Sequence, residues 1–288
     1  MDGNDIHWAV VPIAGMGTRM RPMSYAVPKA LLPLADPQGR LRCVLHWILA
    51  EAAGAGISQA VVVHSPGQRE CLEAYFNGIG ADGRADLPER IEWVPQPAAR
   101  GFGDAVAHAR PAVGHQPFLL MLGDHVYLPP AGGPGCVADL LAGWARLEAP
   151  SALVGVQVVG RQMLPAVGVC QGRPLGDRLY RCEAIIEKPT AAGAEPFQTP
   201  GLPAGRYLAH GGLYVFSPAI FEQIDKLPAA GQRGQEVQLT AAQRGLLDED
   251  PRPYCLRTLG GEVFDTGCPD GYAEAFTRFR AGPPGRRT

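Results

Sequence analysis

The sequence lacks several features that mark cysteine-based zinc sites, membrane proteins and nucleic-acid-binding proteins. Its seven cysteines contain no C-x-x-C pair, which argues against a zinc ribbon or a thioredoxin-type motif and fits a reducing compartment. No apolar run approaches the ~20 residues of a transmembrane helix, and the apolar segment near the N-terminus breaks at once into glycine and arginine, unlike a secretory signal. A net charge of −2 argues against a nonspecific nucleic-acid binder. We therefore expect a cytoplasmic protein with neither a membrane nor a nucleic acid among its partners.

What remains is the composition of a globular protein. The chain has 288 residues, of which 46% are hydrophobic and 19% charged, enough for a sizeable core. Apolar runs at 8–13, 60–64, 91–94 and 118–122 alternate with helical patterns, which indicates βαβ units. This alternation predicts an α/β fold with a mainly parallel, Rossmann-like sheet and helices on both faces. Further along, we expect a hairpin over 167–187, a loop over 190–205 and a helix over 236–247.

The most informative segment is the loop over 14–33, which follows the first predicted strand. It reads AGMGTRMRPMSYAVPKALLP. Gly15 and Gly17 carry no Cβ, so the backbone can approach a ligand closely and its N–H groups can line an anion site. Arg19 adds a bidentate donor for phosphate oxygens, and Lys29 adds a compact point charge. The loop has the composition of a polyphosphate site, although a lone G-x-G can also be no more than a tight connection.

Two common phosphate motifs are excluded. The dinucleotide fingerprint G-x-G-x-x-G requires a third glycine where this chain has Met20. The P-loop string G-x-x-x-x-G-K-[ST] does not occur. A nicotinamide-dependent oxidoreductase is therefore disfavoured.

The full loop has a longer and more specific pattern. G-x-G-T-R-x-x-P followed by P-K-x-x-L-P resembles the signature of sugar-1-phosphate nucleotidyltransferases, closest to the bacterial UTP–glucose-1-phosphate uridylyltransferases. The segments 205–207 and 236–240 are also similar to the uridylyltransferases. The segments 212–216 and 264–267 are similar to the glucose-1-phosphate thymidylyltransferases. The resemblance covers roughly residues 8–280 and implies a nucleotide-diphospho-sugar transferase fold.

The resemblance also implies a domain organisation and a set of nucleotide-binding residues. It predicts one continuous catalytic domain, with a nucleotide-binding half over 1–150 and a sugar-binding half with the C-terminal helices over 151–288. Arg19 and Lys29 would be catalytic, acting on the phosphates. Gln96 and Gly101 match Q-x-x-x-x-G-x-x-x-A and would contact the nucleobase, for which an amide supplies a paired donor and acceptor. The implied nucleotide-binding residues are Ala14, Gly15, Gly17, Thr18, Gln96 and Gly101.

Two aspartates are candidates for a metal site. Asp124 stands in L-G-D after an apolar strand, and Asp265 stands in F-D-T-G. Alone, each is equally well explained as a turn or helix-cap residue. Together they match the paired metal aspartates of the family. Because Mg²⁺ bound with phosphates usually takes one or two carboxylates, the predicted cofactor is Mg²⁺.

The sugar-binding residues are implied by a second motif. Glu187-Lys188 begins E-K-P, and the same pair could otherwise be an exposed ion pair at a sheet edge. In the family this glutamate binds sugar hydroxyls and the lysine holds the sugar phosphate, so Lys188 is also assigned a catalytic role. Gly168, in A-V-G-V, matches a glycine whose backbone meets the sugar.

The implied activity is transfer of a nucleotidyl group to a sugar-1-phosphate, which releases pyrophosphate and gives an NDP-sugar. UTP and glucose-1-phosphate are the favoured substrates. The alternatives are dTTP or a purine triphosphate, and mannose-1-phosphate or a cyclitol phosphate. An inactive NDP-sugar-binding regulatory protein is the alternative of another class. We also expect a homo-oligomer, either a dimer or a tetramer.

Overall fold

A computed structural model describes residues 6–228 and 236–282, in which the chain forms two compact units. The first unit comprises 7–99, 121–139 and 260–282. The second unit comprises Ile6, 100–120, 140–228 and 236–259. The chain enters each unit more than once. The assignment of a nucleotide-binding half to 1–150 and a sugar-binding half to 151–288 stays a prediction.

The elements alternate along the chain as a mixed α/β protein. The strands are β1 (Trp8–Pro12), β2 (Pro33–Ala35), β3 (Leu41–Cys43), β4 (Gln59–His64), β5 (Arg90–Pro95), β6 (Phe118–Met121), β7 (His125–Leu128), β8 (Ala152–Gly160), β9 (Gly168–Gly176), β10 (Leu179–Glu187), β11 (Arg206–Phe216), β12 (Tyr254–Thr258) and β13 (Glu262–Asp265). The helices are α1 (Met23–Ala26), α2 (Val44–Gly54), α3 (Arg69–Gly78), α4 (Gly80–Arg84), α5 (Phe102–Ala107), α6 (Arg110–Val113), α7 (Cys136–Trp144), α8 (Ala191–Ala194), α9 (Ala219–Asp225), α10 (Leu239–Glu249) and α11 (Pro269–Ala281). Short 3₁₀ turns occupy Thr18–Met20, Lys29–Leu31, Pro66–Gln68, Arg161–Ala166 and Glu195–Phe197.

The first unit is built on parallel strands. β1 pairs with β4 and β4 with β5, all parallel, with Val10 opposite Val61. Parallel neighbours need a crossover, which α2 supplies between β1 and β4 and α3 supplies between β4 and β5. Val10, Val11 and Val61 to Val63 are fully buried, as expected of strands covered on both faces. The carboxyl ends of β1 and β4 therefore lie at the same edge, where ligands of such sheets bind.

A two-stranded sheet in the first unit brings distant segments together. β7 pairs antiparallel with β13, and this register sets Asp265 opposite His125. The turn before β7 passes close to the end of β1. A Cβ on Gly123 would lie 2.4 Å from Ile13 Cγ2 and 2.5 Å from the carbonyl oxygen of Pro12, so only glycine fits there. The turn that carries Asp124 is thus held beside the loop that follows β1.

The second unit contains a mixed sheet. β11 pairs antiparallel with β8, β12 parallel with β8, and β10 antiparallel with both β12 and β9. β11 also pairs with β9, where Ala209 lies opposite Val169. The register of β11 against β8 shifts between His210 and Leu213, which marks a bulge. A separate cluster of buried side chains packs on this sheet around Leu164, Val169, Ala194 and Tyr207.

The predicted α/β class, with its Rossmann-like and mainly parallel sheet, is confirmed. The predicted hairpin over 167–187 is also present as β9 and β10. Two local predictions were wrong. The segment 190–205 contains α8, whose first turn is capped by Thr190 Oγ1 accepting from Gly193 N at 3.1 Å, together with a 3₁₀ turn. The helix predicted to begin at 236 begins at Leu239, because Gln238 is extended and Val237 pairs with another segment.

No helix in the described ranges combines the length and the apolar composition needed to cross a bilayer.

The surroundings of a buried histidine in the first unit favour its neutral form. His46 on α2 is fully buried, stacks on Phe76, and lies 2.9 Å (Nε2) from Arg42 and 3.3 Å (Nδ1) from the Tyr75 hydroxyl. Because a guanidinium only donates, Nε2 must accept and the neutral ring carries its proton on Nδ1. Burial, aided by the Arg42 charge, lowers the pKa of His46 to about 4.

We expect this histidine to contribute to stability above pH 6.5 and to lose that contribution in acid. Between about pH 6.5 and 5 the unfolded chain binds the proton and the folded chain does not, so over this range the free energy of unfolding falls with pH by on the order of 2 kcal/mol. Urea unfolding at pH 8, 6 and 5 should show a shallower pH dependence for His46→Gln than for the parent chain. The matched control, replacement of the exposed His115 by Gln, should keep the parent slope. Equal slopes for all three proteins would contradict this assignment.

Candidate functional site

The loop after β1 takes its shape from Gly17 and from a lysine further along. Gly17 has φ +59°, in the left-handed region, and is followed by the 3₁₀ turn that contains Thr18 and Arg19. A Cβ on Gly15 would lie 4.0 Å from Lys29 Nζ, so the ammonium group of Lys29 lies against the glycine backbone. The structure therefore brings together the two glycines and the lysine that the sequence predicted as phosphate-binding residues.

Three ion pairs join this loop to the predicted metal aspartates. Lys29 Nζ donates to Asp124 Oδ2, and both side chains are largely buried, at 15% and 13% exposed. Arg19 donates to both carboxylate oxygens of Asp265, at 2.8 and 3.4 Å, and its Nη2 lies 3.9 Å from Asp124 Oδ2. All four residues belong to the first unit. They form one compact group of alternating charges.

The environment keeps Asp124 ionised. Burial would raise the pKa of its carboxyl, but the Lys29 charge and the hydrogen bond to His125 Nδ1 at 3.0 Å outweigh it and hold that pKa well below its usual range. Burial would lower the pKa of the Arg19 guanidinium, but the hydrogen bond to Asp265 and the nearby carboxylate charges outweigh it and raise that pKa. Both effects favour the charged forms of Asp124 and Arg19.

Backbone contacts fix the two aspartates relative to each other. Thr266, which follows Asp265, donates from both its N (2.7 Å) and its Oγ1 (2.8 Å) to the carbonyl oxygen of Asp124. Gly267 N donates to Asp265 Oδ1 at 2.8 Å. A Cβ on Gly267 would lie 2.5 Å from Asp124 Oδ2 and 2.9 Å from both Arg19 Nη2 and Asp265 Oδ1, which leaves no room for any other residue. The D-T-G sequence thus supplies the Asp265 carboxylate, the Thr266 contacts to the Asp124 carbonyl, and the space at Gly267 in which the charged side chains meet.

The arrangement can hold a divalent cation. Asp124, His125 and Asp265 each offer a ligand atom, and these atoms lie within 4.8 Å of one another. Carboxylate oxygens are the ligands that hard cations such as Mg²⁺ prefer. His125 and Thr266 were not assigned roles from the sequence, although each directly follows a predicted aspartate. Their contacts depend on the β7–β13 register, which has no local sequence signal.

A cavity of about 690 Å³ lies next to this group, within the first unit. This volume is in the range of small-ligand sites. Its walls include four predicted nucleotide-binding residues, namely Ala14, Gly15, Gly17 and Gln96, together with Lys29, which was predicted to be catalytic. Gln96 is 5% exposed, and its backbone N donates to the His64 carbonyl at 2.8 Å, which extends the β4–β5 ladder to the cavity edge.

The cavity wall also contains residues that were not predicted from the sequence, among them Gln68 and Tyr25. Gln68 lies at the end of a 3₁₀ turn and donates to the Ile13 carbonyl at 3.2 Å, which ties the far wall to the end of β1. Tyr25 is 73% exposed, with the guanidinium of Arg21 5.0 Å from its ring centroid. The wall thus combines buried amides with an exposed aromatic and cationic rim.

The predicted sugar-binding residues lie together in the second unit. Glu187 ends β10 directly opposite Gly168, which begins β9. Lys188 follows with φ +44°, and its Nζ lies 3.6 Å from Glu187 Oε1. A Cβ on Gly168 would lie 3.2 Å from Glu187 Oε2 and 2.7 Å from His210 Nδ1, so the glycine admits both side chains. Gly101, also in this unit, has φ +109°.

His210 is a further residue beside Gly168 and Glu187 that sequence reasoning did not single out. Its Nε2 is buried and has no hydrogen-bond partner among the described residues. Burial lowers the pKa of His210 to about 4, with Glu187 opposing the shift, so the ring is neutral at pH 7. A neutral imidazole can accept or donate one hydrogen bond at the free nitrogen.

Comparisons with known proteins identify the family of the chain. The sequence pattern of the family described as nucleotidyl transferase matches residues 9–281. The UTP–glucose-1-phosphate uridylyltransferase of Haemophilus influenzae is 31% identical over 94% of this chain and 92% of its own length. The enzyme of the same name from Streptococcus pneumoniae is 30% identical over 90% and 85%.

A solved structure of UDP-glucose pyrophosphorylase complexed with UDP-glucose has a similar fold. It superposes with a TM-score of 0.77 at 23% identity and covers 95% of this chain and 98% of its own. This likeness confirms the predicted nucleotide-diphospho-sugar transferase fold. The family resemblance read from the signature loop is confirmed as well: the chain belongs to the nucleotidyl transferase family.

Proposed function

We propose that the protein transfers uridylyl groups from UTP to glucose-1-phosphate, giving UDP-glucose and pyrophosphate. The observation that carries this proposal is the group of Arg19, Lys29, Asp124 and Asp265 beside the cavity of the first unit. Two cations and two carboxylates next to a glycine loop suit a triphosphate with a divalent cation. The names of the relatives from Haemophilus influenzae and Streptococcus pneumoniae support UTP and glucose-1-phosphate as the substrates.

In the proposed reaction, an oxygen of the sugar phosphate attacks the α-phosphorus and pyrophosphate leaves. The nucleophile is already anionic at neutral pH, so no general base is assigned. Gly15, Gly17 and Arg19 would hold the β- and γ-phosphates, and Lys29 would neutralise the α-phosphate. Lys188 would align the incoming phosphate. Catalysis then consists of positioning and charge neutralisation.

The residues that would hold Mg²⁺ are Asp124 and Asp265, whose oxygen atoms suit a hard cation. When bound there, Mg²⁺ would neutralise phosphate oxygens and stabilise the charge that develops during transfer. Lys29 and Arg19 now pair with these carboxylates and are also the cations assigned to the phosphates. An arriving triphosphate would therefore take the cations and leave the carboxylates free for the metal.

The nucleobase and sugar are assigned to other residues. Gln96 and Gly101 would read the edge that uracil and thymine share, since an amide can both donate and accept. One thymine methyl is worth only about 1–3 kcal/mol of discrimination, so dTTP should be used measurably. Glu187 would accept hydrogen bonds from sugar hydroxyls, with the Gly168 backbone beside it.

A substrate panel tests this function. Pyrophosphate release with Mg²⁺ is measured for UTP, dTTP, GTP and ATP against glucose-1-phosphate, mannose-1-phosphate and a cyclitol phosphate. We expect UTP with glucose-1-phosphate to give the highest kcat/KM, dTTP to be slower and the purine triphosphates to be poor. A higher kcat/KM with GTP or ATP would contradict the base assignment. Binding of UDP-glucose with no pyrophosphate release from any pair would favour a regulatory protein instead.

A single methyl group at Gly267 tests the charge group itself. In Gly267→Ala the new Cβ would press on Asp124, Asp265 and Arg19 at once. We expect kcat/KM to fall by about 100-fold or more, because small displacements at a reacting centre have effects of that size. The matched control is Gly54→Ala, where the Cβ meets nothing within 4 Å. Parent-like kcat/KM in Gly267→Ala, with both variants folded by circular dichroism, would contradict the site.

A further inference from the structure

The carboxylate of Glu187 has one oxygen already committed to a neighbour. Thr240 Oγ1 donates to Glu187 Oε2 at 2.6 Å. Thr240 is 8% exposed, whereas the Glu187 side chain is 30% exposed. The threonine thus fixes the carboxylate from the buried side and leaves Oε1, on the side of Lys188 Nζ, for other contacts. Hydrogen bonds to a charged group at this distance are among the stronger ones in proteins.

Thr240 is itself held firmly by the helix that carries it. It is the second residue of α10, and α10 packs on β10, the strand that ends at Glu187. Arg244, one turn further along, donates from Nε to the Ile185 carbonyl on β10 at 2.8 Å. A threonine also has few side-chain rotamers, because its Cβ is branched. The hydroxyl group therefore has a defined position relative to the end of β10.

The segment before α10 is braced from a second direction. Val237 N donates to the Arg100 carbonyl at 2.8 Å, and Gly103 N donates to the Val237 carbonyl at 2.8 Å. A Cβ on Gly101 would lie 2.7 Å from both the N and the O of Val237. The start of α10 is thus tied to the segment that contains Gly101 as well as to β10. All these residues belong to the second unit.

We propose that Thr240 is the positioning residue for Glu187. By holding Oε2 it fixes the carboxylate rotamer, so that Oε1 and the remaining lone pair of Oε2 can accept hydrogen bonds from sugar hydroxyls in one orientation. This inference rests on the proposed function, in which Glu187 contacts the sugar. Without the threonine hydroxyl the carboxylate loses its orientation and can turn toward Lys188.

Two substitutions separate the hydroxyl from the shape of the side chain. Thr240→Val keeps the shape and removes the donor. Thr240→Ser keeps the donor. We expect Thr240→Val to raise the KM for glucose-1-phosphate about tenfold or more, the size expected for a lost hydrogen bond to a charged group. The KM for UTP should stay within about twofold of the parent value, and Thr240→Ser should recover most of the loss.

Thr199→Val is the matched control. Thr199 is 1% exposed in the same unit, and its Oγ1 accepts from Gly172 N at 3.1 Å. The Thr199→Val substitution removes a buried threonine hydroxyl that does not contact Glu187. The KM for glucose-1-phosphate and the KM for UTP should therefore both stay at the parent level. The free energies of unfolding of Thr199→Val and Thr240→Val, compared with that of the parent, show how much the loss of a buried threonine hydroxyl changes stability.

The outcomes distinguish the inference from the function on which it rests. A parent protein that does not turn over glucose-1-phosphate with any triphosphate overturns the proposed function and this inference with it. A parent that turns it over, with an unchanged KM for glucose-1-phosphate in Thr240→Val, overturns the positioning role alone. A rise shared equally by Thr240→Ser, or a rise in the KM for UTP of the same size, also overturns it, because either result indicates a general structural effect.

Discussion

The pairing of Lys29 with Asp124 is the interaction on which the first unit's site depends. Both side chains are largely buried, and a buried carboxylate or ammonium without its partner would be strongly destabilising. Arg19 and Asp265 extend the pair to four alternating charges. Two cations that suit phosphates and two carboxylates that suit a divalent cation therefore lie together near the end of β1. Each set balances the other when no ligand is bound.

The pairing depends on two glycines, on the β7–β13 register and on the contacts of Thr266. The turn with Asp124 can approach β1 only because Gly123 has no Cβ, and Gly267 leaves the space in which Arg19, Asp124 and Asp265 meet. The β7–β13 register brings residues 124 and 265 together, and Thr266 locks them through the Asp124 carbonyl. In the second unit, too, a glycine leaves space for polar side chains and a threonine hydroxyl fixes a carboxylate. There, Gly168 admits His210 and Glu187, and Thr240 fixes the carboxylate.

The fold class and the residues of the charge group could be predicted from the sequence, because they are marked by short motifs and by periodic patterns within continuous segments. The loop over 14–33, the L-G-D string and the D-T-G string predicted the residues of the charge group, and the alternating patterns predicted the α/β class. Contacts between distant residues were not predictable in this way. β7 has four residues and follows Asp124 directly, so its pairing with β13 has no periodic signal. The Thr240–Glu187 bond joins residues 53 apart. The start of α10 was misplaced because Val237 is held by Arg100 and Gly103, which no helical pattern reveals.

The central claim is that the carboxylates of the charge group act on the triphosphate through a divalent cation. Calorimetric titration of UTP, with Mg²⁺ and with EDTA, measures this directly. In the parent protein Mg²⁺ should tighten UTP binding by about tenfold or more, equivalent to about 1.4 kcal/mol. In Asp265→Asn that gain should disappear, while UTP in EDTA binds at least as tightly as before because Arg19 is released from its partner. The same Mg²⁺ gain in both proteins would contradict the account.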